Sequence, residues 1–520
     1  DFAILLSRAS YHFVRRPLSN EEVTIRIWEE SPEGLQLTRA YEILDKDNNV
    51  LISGRSTWLV VNPKTRRIMK PSQFDLREAP NRKEPYEGLP CGKIAIPENM
   101  NHIDTRPVRF SDLDGNGHVN NSRYGAYTVD ALPEEYASLP LYDYGDSLIF
   151  PGMVDLHVHA PQYAFRGMCM DLELMDWLNR YTFPEEEKYE NLEYAEKAYS
   201  MFVDALKTGA TTRACIFATR HRYATELLMK LMEESGLVSY VGKVNMDREA
   251  SEALTEDSAE ISAYTTFGWI NAVKDKFKNT KPILTPRFIP CCTDKLMEEL
   301  REIQMAYGIP VQSHLSESKG EIEFVKFLRP EDPFYGDSYN DYDLFGKNDD
   351  IDTDVKTVMA HCVWSTDDEV ELMRKNGVFV AHCPASNMNL TSGIAPIRKY
   401  LDLGLNIGLG SDIAGGHSLS IFRAITDAIQ VSKMYYRMVS EQYKPLVFSE
   451  AFYLATKGGG AFFGKVGSFE EGYEFDAVVL DDSLLPHPQK LNLAERMERA
   501  VYLGLDEKNI KAKYVAGSKI

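Results

Sequence analysis

From about residue 148 the chain alternates short apolar strands with longer amphipathic stretches eight times, and this rhythm constrains its fold more than any other feature. The strand candidates read MVDLHVH, TTRACIFA, SYVGKVNM, PILTPRF, PVQSHLS, TVMAHC, VFVAHCP and NIGLGSD. Between them, segments such as 191–209 and 293–308 carry apolar residues at spacings of three and four, the helical period. Eight alternating units predict an α/β fold, a (β/α)8 TIM barrel, which builds its active site at the C-terminal ends of its strands. Residues 473–482 and 510–520, after the eighth unit, read as strands of a small accessory sheet.

The first 130 residues follow another rule. Residues 22–70 alternate polar and apolar in the β manner, interrupted by the turn-rich DKDNN, and predict an antiparallel meander. Proline and charge dominate 71–105, which reads as a connector. A short strand, a Gly/Asn/Asp loop and a helical start follow, up to about 132. With 520 residues, two domains are the natural count. The net charge of −20 disfavours nucleic acid and anionic membranes as partners and favours a small neutral substrate. Seven cysteines without a Cys-x-x-Cys pair read as reduced thiols in the cytoplasm. No apolar run approaches the roughly 20 residues needed to span a bilayer.

Metal-capable side chains end four of the eight strand candidates. In MVDLHVH the apolar Val154, Leu156 and Val158 alternate with Asp155, His157 and His159. The strand period of two puts both histidines on one face, about 6–7 Å apart, close enough to grip one ion. His314 closes the fifth candidate, His361 the sixth and Asp412 the eighth. Imidazoles with one carboxylate suit Zn²⁺ and, second, Fe²⁺, whereas an oxygen-rich shell would suit Mg²⁺. Such an ion lowers the pKa of a bound water toward roughly 7, and Asp412 is placed to take its proton.

Neighbouring residues extend this hydrolytic reading. Glu317, three positions beyond His314, is a candidate proton shuttle. Gln162 offers a donor and an acceptor to a heterocycle. Arg287 carries a planar fork that can meet two acceptors on one purine edge, and Phe288 can pack beside the ring. The His-x-Glu and Pro-Cys-x-x-Cys signature of the other zinc deaminase class is absent from the sequence.

These residues sit within a wider resemblance. Residues 132–520 resemble the guanine deaminase family of the amidohydrolase superfamily through PGMVDLHVHAPQYAFRG, MDWLNRYTFPEEEKY, KPILTPRF, SHLSES, VMAHCVW, AHCPASNMNL, GLGSDIAGGHS and GSFEEGYEFDAVVL. The resemblance implies a barrel with a small β-sandwich, one zinc per chain, and hydrolysis of guanine to xanthine and ammonia in purine catabolism. It implies that His157, His159, His314 and Asp412 ligate zinc, that Glu317 and Asp412 move protons, and that His361 steers the water. Gln162, Arg287, Phe288 and Glu317 would hold guanine while hydroxide attacks C2 and Glu317 protonates N3. Deamination or dechlorination of another heterocycle is the alternative within the superfamily, and a homodimer is the candidate assembly.

Residues 1–130 resemble the acyl-ACP thioesterases, double-hotdog proteins, most clearly in VRFSDLDGNGHVNNSRYGAYTVDAL and EILDKDNNVLISGRSTWLVVNPKTRRIMKP. That resemblance implies a partial α+β hotdog segment, with Asp114, Asn116 and His118 as vestigial thioester-hydrolysing residues. Both resemblances are truncated near Ala131: the second hotdog stops at the start of its helix, and the deaminase side lacks about 30 residues of accessory-sheet sequence. The expectation is an incomplete β-sandwich on the barrel and a front segment without a complete thioesterase site. An acyl-ACP thioesterase fragment fused to an inert barrel is the reading from a different class.

Overall fold

The computed structural model describes residues 2–15, 17, 21–62, 64–73, 86, 88–92, 105, 107–109, 112, 123, 127, 142–347, 355–489, 491–504 and 508–520. The chain divides into two compact units, Asp1–Tyr142 and Asp143–Ile520. The expected junction near Ala131 lies outside the described residues, as do Asp114, Asn116 and His118.

The first unit contains a four-stranded antiparallel sheet in the order β1-β4-β3-β2. Its strands are β1 (Ala3–Phe13), β2 (Thr24–Glu33), β3 (Gln36–Leu44) and β4 (Val50–Val61). The last three are the expected meander. The turn at DKDNN is closed by Asp45, whose Oδ1 accepts from the backbone N–H of Asp47 and of Asn49, both at 2.9 Å. β1 was not anticipated. Its sequence opens on the unbroken apolar run AILL, without apolar/polar alternation, and backbone pairing with β4 from Ala3↔Val61 to Phe13↔Ile52 defines it.

In the second unit every expected strand is present, in two parallel four-stranded sheets and a two-stranded one. One sheet runs β10-β8-β7-β6, built from β6 (Met153–His159), β7 (Thr211–Phe217), β8 (Val238–Gly242) and β10 (Thr280–Pro282). The other runs β12-β13-β14-β15, built from β12 (Val311–Leu315), β13 (Thr357–His361), β14 (Phe379–His382) and β15 (Asn406–Leu409). Two-residue strands β9 (Val244–Asn245) and β11 (Thr285–Pro286) pair with each other. The third and fourth expected strands are thus each broken in two. In the fourth, Pro282 and Pro286 withhold ladder N–H groups within five residues. In the third, buried Lys243 interrupts the pairing and donates to Glu256 at 2.7 Å. β6 and β7 are buried at every position, the signature of parallel strands covered on both faces.

Among the described residues eight helices of ten residues or more accompany these sheets: α1 (Leu192–Thr208), α2 (Arg222–Ser235), α3 (Ala259–Val273), α4 (Asp294–Tyr307), α5 (Lys319–Leu328), α6 (Asp367–Asn376), α7 (Ile421–Met438) and α8 (Leu493–Tyr502). Their starts follow capping chemistry. Asn191 caps α1, Thr293 caps α4, and Ser318 with Glu321 forms a capping box on α5 immediately after Glu317. That box fixes the backbone on which Glu317 sits, because Glu321 Oε2 also accepts from the Glu317 N–H at 3.0 Å.

A fourth sheet, antiparallel and ordered β18-β17-β16-β5, joins β5 (Leu148–Pro151) to β16 (Ala477–Leu480), β17 (Ile510–Val515) and β18 (Ser518–Lys519). These are the accessory strands expected after the eighth unit, plus one before the first. Arg213 of β7 pins this sheet to the parallel layer through a buried bidentate pair with Asp476, at 2.7 and 3.0 Å. Among the described residues no helix is long and apolar enough to cross a membrane.

Candidate active site

The strand ends converge on one place. His157 and His159 close β6, His314 and His361 close β12 and β13, and Asp412 lies just beyond β15. His157 Nε2 stands 3.2 Å from Asp412 Oδ1, and His159 Nε2 stands 3.7 Å from the same oxygen. The Nε2 atoms of His159 and His314 are 3.2 Å apart. His361 Nε2 lies 3.7 Å from Asp412 Oδ2 and 3.3 Å from Glu317 Oε2. Two overlapping triplets, His157 with His159 and His314, and His157 with His361 and Asp412, each bring their donor atoms within 4.8 Å of one another.

The chemistry of this donor set fits a divalent cation. His157 Nε2 is buried among these donors without a hydrogen-bond partner, a costly arrangement unless something else binds there. His314 Nδ1 donates to the Arg287 carbonyl at 2.6 Å, which leaves its Nε2 lone pair for the site. His361 Nδ1 donates in the same way to Asn387 Oδ1 at 2.9 Å. Asp155 braces the assembly from below. Its carboxylate accepts from the Ser411 N–H at 3.0 Å, the Ser411 hydroxyl at 2.5 Å and the His157 N–H at 3.2 Å, tying β6 to the turn that carries Asp412.

The backbone pays for this convergence with strain. Ser316, His361, Cys362 and Asp412 all hold left-handed φ angles, between 47° and 72°. For non-glycine residues each costs on the order of 1–3 kcal/mol, and such residues cluster where function requires them.

Beside the donor set opens a cavity of about 400 Å³, lined by His159, Gln162, Trp177, Arg287, Phe288 and Glu317 among others. The structure brings every expected metal-ligating and substrate-facing residue but His157 to the lining of one chamber, and His157 stands against Asp412, 3.2 Å from its Oδ1. It adds one that the sequence reading missed. Glu186, fully buried, accepts from Arg287 Nη1 at 2.6 Å, from Arg287 Nη2 at 3.1 Å and from Gln162 Nε2 at 2.9 Å. Its only sequence sign was its place inside MDWLNRYTFPEEEKY, where it is one acid in a row of three.

Residues 148–518 match the amidohydrolase family. The chain belongs to the amidohydrolase family. Guanine deaminase of Dictyostelium discoideum is 38% identical to it over 386 residues, covering 73% of this chain and 83% of that protein. Human guanine deaminase is 37% identical over 384 residues, covering 71% and 82%. The crystal structure of guanine deaminase from C. acetobutylicum, with guanine bound in its active site, aligns with a TM-score of 0.71 at 48% identity, covering 75% of this chain and 90% of that one. In the front unit, residues 5–73 match the acyl-ACP thioesterase N-terminal domain and residues 97–140 the acyl-ACP thioesterase C-terminal domain.

Electrostatics complete this amidohydrolase site. Burial drives His157, His159 and His314 below the usual imidazole range, so all three are neutral lone-pair donors. Burial raises the Asp412 carboxyl, and the neighbouring histidines, His361 among them, with the Ser386 hydroxyl more than offset it and hold it at about 2. His361 is pulled down by burial but carried above its ordinary value by Glu317 and Asp412. Three neutral imidazoles and one ionised carboxylate form the donor set of a borderline divalent cation.

Glu317 is pushed up to about 7 by burial, against 4.5 for an ordinary glutamate. Below pH 4.5 the folded and unfolded states both hold this proton, and the group does not affect stability. Between 4.5 and 7 only the folded state keeps it, so stability falls as pH rises, and above 7 the cost is constant. The metal-free Glu317→Gln protein is therefore expected to melt at a higher temperature than the metal-free parent at pH 8, with the gap closing toward pH 4.5. Calorimetry at the two pH values measures this, and a gap independent of pH would contradict it.

Proposed function

We propose that the second unit hydrolyses guanine to xanthine and ammonia, in a site where a metal centre faces a purine-binding wall. The observation that carries this reading is the shared chamber: His159, His314 and Asp412, converging with His157 in the donor set, line the same cavity as Arg287, Gln162 and Phe288. The similarity to guanine deaminases, including one with guanine bound, supports the same substrate.

In this reading His157, His159, His314 and Asp412 hold the cation, with zinc as first choice and Fe²⁺ as second. A divalent cation bound there supplies Lewis acidity that brings the pKa of a coordinated water toward roughly 7. Arg287 offers the O6 and N7 edge of guanine the guanidinium N–H groups that Glu186 leaves free, Gln162 and Glu317 hydrogen-bond the heterocycle, and Phe288 packs beside it. Asp412, ionised at neutral pH, accepts the proton of the attacking water, and His361 fixes that water's position. Glu317, whose carboxyl stays protonated up to about 7, delivers a proton to N3 as water adds at C2. The C2 amine takes up the proton that Asp412 received and leaves as ammonia while the C2 hydroxyl returns a proton to Glu317, so that guanine and water become xanthine and ammonia with both carboxyl groups restored.

We also read the parallel sheets as parts of one closed (β/α)8 barrel. In support, Leu284 bridges to Val311 between the β10–β11 segment and β12, and the Asp412 N–H donates to the His157 carbonyl at 2.9 Å across the other gap. The front unit is read as a thioesterase-derived hotdog segment preceding the deaminase. Seven unpaired cysteines, five of them buried, fit a cytoplasmic setting.

The direct test is metal analysis and ammonia release with the purified chain. About one metal per chain and turnover of guanine far above adenine, adenosine and triazines is expected. Comparable turnover of any of these, or no ammonia from guanine by a metal-loaded chain, would reject the reading.

A further inference from the structure

We infer that Glu186 is a positioning residue that sets purine recognition by holding Arg287 and Gln162 in one orientation. The inference rests on the reading of Arg287 as a purine contact. Both Glu186 oxygens work as acceptors: Oε2 takes Arg287 Nη1 at 2.6 Å, and Oε1 takes both Arg287 Nη2 at 3.1 Å and Gln162 Nε2 at 2.9 Å. Three N–H donors on two side chains therefore converge on one carboxylate, and the guanidinium is gripped in the bidentate fork geometry that fixes its plane. The Arg287 guanidinium also lies 5.2 Å from the Phe183 ring centre, against a face that limits its tilt.

Gln162 is oriented at both ends. Its Oε1 accepts from the Ala414 N–H at 3.0 Å, a group that can only donate, so the amide nitrogen must face Glu186. The Ala414 contact places the Gln162 end of this network two residues from Asp412. Glu186 thereby links the two purine-facing side chains to the turn carrying the candidate metal ligand, without lining the chamber itself as Arg287 and Gln162 do.

A glutamine at 186 has the same shape but one acceptor oxygen in place of two. Its amide nitrogen would meet either the Arg287 fork or the Gln162 amide donor to donor, and one of them must turn. Glu186→Gln is therefore expected to raise the KM for guanine at least about tenfold, with kcat changed less and metal content at the parent level. The Ki of 2-aminopurine, which keeps N7 but lacks O6, should rise clearly less than the KM for guanine. In an Arg287→Met background, which itself raises the guanine KM, adding Glu186→Gln should produce little further loss.

A merely structural Glu186 would weaken guanine and 2-aminopurine equally and would add its penalty to that of Arg287→Met; either result overturns the inference. If Glu186→Gln does not fold with its metal, Glu186→Asp serves. It keeps two acceptors on a shorter stem, and it must raise the guanine KM clearly more than the 2-aminopurine Ki. If Arg287→Met leaves the guanine KM unchanged, the purine-contact reading of Arg287 fails first. If Arg287→Met raises the KM but neither Glu186 variant does, only the role of Glu186 fails.

Discussion

A chain carrying His157→Ala and His159→Ala together is expected to lose its stoichiometric metal and to turn over guanine at the uncatalysed rate, a fall of at least about 10⁶-fold on the usual scale of enzymatic acceleration. Both donor triplets contain His157, so removing it breaks each of them at once. Without His159 as well, only His314 and Asp412 remain of the four assigned ligands, and the first triplet is reduced to one imidazole. Catalytic zinc sites ordinarily need three protein ligands. The loss is not expected to unfold the unit, because the core contribution of β6 comes from Val154, Leu156 and Val158, all fully buried and all unchanged. Elemental analysis after gel filtration, with a melting curve beside it, checks both statements. A double variant that keeps one metal per chain would mean that the ion is held elsewhere and would remove the basis for the ligand assignment.

The residues that make this prediction possible were legible because they obey local periods. A histidine two positions from another on a strand must share its face, and a ligand at the end of a parallel strand must point toward the same rim as its neighbours. His157, His159, His314, His361 and Asp412 needed nothing more than that to be grouped. Glu186 obeys no such rule. It lies 24 residues from Gln162 and 101 from Arg287, on a short helix, and only the folded chain reveals that its acid is the one turned inward. The breaks in the third and fourth strands escaped for a related reason: apolar runs announce a strand, whereas an interruption depends on whether a neighbour's N–H finds its partner. In the front unit the same limit appears in β1, whose opening AILL run shows no strand period and which is defined by its pairing with β4.

Glu317→Gln separates proton transfer from metal binding and should show the second large effect, a fall in kcat of about 10²–10⁴-fold with the metal retained. Glu317 belongs to neither donor triplet, so its replacement leaves the candidate ligands intact. The amide can still accept from the Ser392 hydroxyl, which meets Glu317 Oε1 at 3.0 Å, so the side chain keeps its anchor and its direction into the cavity. What it cannot do is release and regain a proton. Burial that holds the Glu317 carboxyl up to about 7 is what makes it an acid near neutral pH, and an amide has no equivalent. Because Glu317 is also read as a guanine contact, some rise in KM is expected, but the larger change must fall on kcat, the step in which N3 gains its proton. Single-turnover kinetics with metal-loaded protein isolate that step. If the variant turned over guanine within a few fold of the parent, another group would have to supply the proton, and His361, whose Nε2 lies 3.3 Å from Glu317 Oε2, would be the next residue to replace.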